Sequence, residues 1–137
     1  MSTGTDSEWA ATARLVRRTG FGATGSDVDA ARKVAPAAYV ARAVGADPTT
    51  DPGAKKTPPP TFEQIAPTGK NAGTDAKKTR RKAQRAQSQQ LTGWWLRRMV
   101  AVDEPFAEKL TFAWHSHFAT SLKKVKYASM MLQQNER

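Results

Sequence analysis

The chain has 137 residues, one domain's worth of material, with 39% hydrophobic residues and a mean hydropathy of −0.64. It holds no cysteine, which excludes disulfide staples and thiolate metal sites, and no apolar run long enough to span a membrane. Its net charge of +10 points toward anionic partners, but residues 76–102 carry eight basic side chains and no acidic one, and the rest of the chain is close to balanced.

The N-terminus has no apolar core behind a basic patch, so it does not read as a secretory signal and a cytoplasmic location is expected. Thr5-Asp6-Ser7-Glu8 has capping-box spacing and predicts a first helix with Trp9, Thr12, Ala13 and Val16 on one face. Gly20 is its stop, and Phe21 is an apolar anchor in the turn that follows. Thr24 or Ser26 can cap a second helix with Val28, Ala31 and Ala35 as its stripe. Pro36 closes that helix and opens a third, in which Tyr39, Val40, Ala43 and Val44 form the apolar side before Gly45.

Residues 46–75 shift to Pro, Gly, Thr and Asp and include the run Pro58-Pro59-Pro60. Only Phe62 and Ile65 could anchor such a segment, so it reads as a flexible, disordered insertion; a functional loop is the second reading. A long helix over residues 76–102 follows. Its first half lacks an apolar face and is expected to project into solvent as a basic arm. Its second half carries Leu91, Trp94, Trp95, Met99 and Val102 at helical spacing.

After the break at Asp103-Glu104-Pro105 comes a helix holding both histidines, folded back as an antiparallel hairpin. At 100° per residue, Phe106, Leu110, Ala113, Trp114 and His117 share one face, and Glu108, Phe112 and His115 share the other. The first face is expected to be buried, giving a structural core of Trp94, Trp95, Leu110, Trp114 and Phe118. A last helix, capped at Thr120 or Ser121, carries Val125, Ala128, Ser129, Met131 and Leu132, an apolar stripe for which this reading finds no partner.

Two candidate sites follow. His115, His117 and Glu108 are the candidates for a metal or acid–base site, with a divalent ion such as zinc as its cofactor. Opposite helical faces keep the two imidazoles from sharing an ion without outside ligands. Lys77, Lys78, Arg80, Arg81, Lys82 and Arg85 are the candidates for anion or nucleic-acid binding; a solvated basic helix is the preferred reading of them, since the arm holds no base-stacking aromatic ring. There is no phosphate-binding glycine loop and no serine nucleophile elbow.

The runs LVRRTGFGATGSDVDAA and LTGWWLRRMVAVDEPFAEKLTFAWHSHFATSLKKV resemble the bacterial "domain of unknown function 1800" family, with its GFG turn, Trp-rich helix, EKLT segment and WHxHF motif. The likeness covers residues 9–45 and 88–137. It implies a largely helical fold, marks His115 and His117, and supplies no reaction. Its members are several times longer, which implies that this chain is the N-terminal part of a larger protein completed by a C-terminal region or a partner protein. Many relatives are exported.

The expectation is therefore an all-α protein of five or so helices. Residues 1–45 hold N-terminal helices, 46–75 a flexible insertion, and 76–137 the basic arm and the hairpin. The first functional reading is a structural part of a larger protein with no activity of its own.

Overall fold

The structure, a computed structural model, describes residues 3–69, 72–117 and 125–136, without the side chains of residues 3–5, 116 and 117. Among the described residues the regular elements are all helices: α1 (Thr3–Thr19), α2 (Gly25–Ala31), α3 (Pro36–Gly45), α4 (Pro52–Lys55), α5 (Thr74–Ala101), α6 (Phe106–His117) and α7 (Ala128–Asn135). The fold is all-α, and the described residues alone hold seven helices where five or so were expected.

α1 and α2 pack through Ala13, Val16, Val28 and Ala31, all buried. Trp9 Nε1 donates to Asp29 Oδ1 across the pair at 3.1 Å. α2 starts at a capping box: the Asp27 amide donates to Thr24 Oγ1, and the Thr24 amide to Asp27 Oδ2. α1, by contrast, runs through Thr5, so the box expected at Thr5 and Glu8 is not its start. α3 begins at Pro36 as expected. Its Tyr39 hydroxyl meets Thr19 Oγ1 at 3.1 Å, joining it to the end of α1.

Residues 46–69 depart from the expected free insertion. Asp51 caps the short helix α4, with Oδ1 accepting from the Ala54 amide at 2.8 Å. Gly53 lies so close to the end of α5 that a Cβ there would stand 1.7 Å from the Ala101 carbonyl oxygen. Beyond it, the chain runs antiparallel along α5. Trp94 Nε1 donates to Thr57 O at 2.9 Å, Gln87 Nε2 to Glu63 O at 2.7 Å, and an Arg80 guanidinium N–H to Thr68 Oγ1 at 3.1 Å. Arg80, Gln87 and Trp94 recur at heptad spacing and so share one face of the helix. The strap is held by donors from a helix, a polar pairing that counting apolar anchors cannot detect.

The same contacts revise the basic arm. The front half of α5 is covered on one side: Arg80 also donates to the Tyr127 hydroxyl at 2.9 Å, and Gln84 Nε2 is buried. Lys77, Lys78, Arg81, Lys82 and Arg85 remain exposed. The last stripe has a partner after all. Ala128 and Met131 of α7 close a core with Leu91 and Trp94 of α5, and Phe62, Trp95, Val125 and Leu132 pack around it. Trp94, 4% exposed, is its largest member. The expected caps at Thr120 and Ser121, and Phe118 from the expected core, lie outside the described residues.

α6 does not bury the face that its periodicity favours, nor does the opposite face go inward as a whole, since Phe112 on it is 50% exposed. Leu110 and Trp114 are 43% and 49% exposed, whereas Glu108 is only 6% exposed. The reason is what the side chains of α5 offer to it. Arg98 and Trp95 present a cation and an indole N–H, and a carboxylate can be buried where those donors satisfy it.

Candidate functional site

α6 is the element where the parts of the molecule meet, and its first residues make most of the joints. Just ahead of it, the amides of Asp103 and Glu104 donate to the Asp51 carboxylate, at 3.1 Å and 2.9 Å to Oδ2. With the Ala54 amide, three backbone N–H groups converge on one buried carboxylate. Burial pushes the Asp51 carboxyl up, the amides of Ala54, Glu104, Asp103 and Gly53 pull it down, and the net position is below the ordinary 3.8. Glu104 also pairs with Arg42 of α3 at 2.8 Å.

One turn into α6, the Lys109 ammonium donates to the carbonyls of Arg17 and Gly20, at 2.6 Å for Gly20. A cation is thereby placed on the carbonyl end of α1, where the helix dipole favours it. Its neighbour Glu108 faces the other way and pairs with Arg98 of α5. The second Glu108 oxygen accepts from Trp95 Nε1 at 3.1 Å. Arg98 in turn lies over the Trp94 ring, 5.8 Å from its centroid, and donates to Pro48 O at 3.3 Å.

An aromatic series continues along the same side of α6. The Phe21 ring meets Phe112 edge-on with centroids 6.4 Å apart, Phe112 lies 6.0 Å from Trp95, and Trp95 lies 5.2 Å from His115. These spacings fall in the favourable range for ring pairs. The GFG turn at one end of the chain thus touches the helix carrying the WHxHF motif.

A family model described as "Protein of unknown function (DUF1800)" matches residues 14–137. The chain belongs to the DUF1800 family. No curated protein and no solved structure matches it significantly.

In this DUF1800 chain the expected site residues are partly brought together. Glu108 and His115 both contact Trp95, but each of the two Glu108 oxygens accepts a hydrogen bond from α5. The carboxylate is thereby held as an ion-pair partner between α5 and α6. His117 lies at the last position of α6, and its side chain is outside the described residues. Among the described residues, no three His, Asp or Glu side chains are grouped closely enough to hold a metal ion. No helix among them is long and apolar enough to cross a membrane. A cleft of about 470 Å³ opens beside Glu108, with Pro58, Pro59, Trp94, Arg98 and Thr111 in its walls.

Asp51, Arg98 and Lys109 escaped the sequence reading. Asp51 had a usable signal, since Asp-Pro is a common start for a capped helix. Arg98 and Lys109 had none: each finds its partner across a change of chain direction.

Proposed function

We propose that this chain is a helical framework of a DUF1800 protein that fixes the position of the histidine helix and has no catalysis of its own. The observation that carries this reading is the commitment of residues 108–112, the EKLT segment and the phenylalanine after it, to packing. Glu108 is engaged with α5, Lys109 with α1, and Phe112 with both Phe21 and Trp95. Residues that belong to the shared motif are here joints between helices. His115 and His117 then stand at the far end of a clamped helix, where a further region of the protein or a partner can meet them. A metal or acid–base site there would draw its remaining groups from outside α6, because Glu108 is already paired.

The test is calorimetric titration of zinc into the wild-type chain and into His115→Ala and His117→Ala. Equal heats for all three are expected. A wild-type heat lost in either variant would overturn the reading in favour of a metal centre. A separate measurement reads the joints: Lys109→Met should lower the melting temperature and speed amide exchange at Gly20, whose N–H bonds to Val16 O at 2.9 Å. Unchanged exchange there would remove Lys109 from the framework.

A further inference from the structure

α5 shows solvent a face that the packing of the molecule does not use. Lys77, Lys78, Arg81, Lys82 and Arg85 are all exposed. At 100° per residue they fall within roughly 140° of the helix circumference. The packed residues Arg80, Gln87, Leu91 and Trp94 lie outside that sector, on the covered side. None of the five cations forms an ion pair among the described residues. The acidic residue nearest in sequence is Asp75, at the edge of the sector, and the next along the chain is Asp103.

Further along the same sector stand Leu96 and Val100, 57% and 87% exposed. The face therefore changes along its length from cationic to aliphatic, and from Lys77 to Val100 it extends about 35 Å at 1.5 Å per residue. Cations followed by exposed aliphatic side chains along one helix face match the interface of an anionic bilayer. There, phosphate and carboxylate headgroups meet the cations, and short aliphatic chains enter the acyl boundary. Nucleic acid fits less well. The rings that could stack on bases are withdrawn, Trp94 into the core with its N–H on Thr57 O and Trp95 against Phe112 and His115. Phosphates alone would leave Leu96 and Val100 without a role.

We infer that the outer face of α5 is a peripheral docking surface for anionic lipid membranes, the cations supplying attraction and Leu96 and Val100 shallow insertion. This goes beyond the framework role and does not depend on it.

The test is co-sedimentation of the intact chain with phosphatidylcholine vesicles, with and without phosphatidylserine, across a salt series. Binding should require phosphatidylserine and weaken steeply as salt rises. Lys78→Gln/Lys82→Gln/Arg85→Gln should lower partitioning on the order of a hundredfold at low salt. Leu96→Ser/Val100→Ser should lower it several-fold. Equal binding to neutral and anionic vesicles, or none to either, overturns the inference using the wild-type chain alone. It is also overturned if the Leu96→Ser/Val100→Ser chain binds as the wild type does while a duplex oligonucleotide displaces the vesicles. That outcome would assign the face to nucleic-acid phosphates.

Discussion

Replacing Asp51 with alanine removes the acceptor for three backbone amides, those of Ala54, Asp103 and Glu104. Two of these lie at the α5–α6 break and one in α4, so a single carboxylate joins segments about fifty residues apart in sequence. Hydrogen bonds to a charged group contribute about 1.5–3 kcal/mol each, and the part-buried amides of Asp103 and Glu104 can rebind water, so the expected loss is about 3 kcal/mol in total. For a chain of this size that corresponds to a fall of about 10 °C in melting temperature. Asp51→Asn keeps one acceptor oxygen without the charge and should fall between wild type and Asp51→Ala.

The pH dependence carries the same argument. The folded carboxyl sits below its ordinary 3.8, so its contribution is complete above that value and is lost as pH falls through the folded pKa. Thermal melts followed by far-UV circular dichroism, from neutral pH down through the carboxylate range, should show wild type losing stability on the acid side more steeply than either variant. An Asp51→Ala chain that melts within about 2 °C of wild type, or with an identical acid slope, would refute the assignment of Asp51 as a joint.

Arg98→Ala leaves the buried Glu108 carboxylate with the Trp95 N–H alone and should cost about 3–5 kcal/mol in a denaturant titration. Arg98→Met combined with Glu108→Leu removes both charges and should recover most of that loss; a double variant as unstable as the single one would show that the pair does more than satisfy itself. Gly53→Ala places a Cβ against the Ala101 carbonyl and forces the backbone of α4 or α5 to move. A destabilisation of at least about 2 kcal/mol is expected by chemical denaturation, against a gain of several tenths where alanine fits without strain.

The helical class, Thr24 as a helix cap, the start of α3 at Pro36 and a new helix after Pro105 were all legible in the residues themselves. Caps, proline starts and periodicity act over a few residues, so they survive being read one stretch at a time. The inward face of α6 was not legible. Both of its faces mix apolar and polar residues, and the choice falls to whichever face finds partners: Arg98 and Trp95 accept Glu108, and Leu110 and Trp114 are left outward. Nor was the strap of residues 57–68, whose carbonyls and hydroxyl receive α5 donors from as far as 37 residues away. Composition predicted helices and a polar insertion. Only the tertiary arrangement decided which polar groups satisfy one another, because the cost of burying a charge or a carbonyl depends on the donor opposite it.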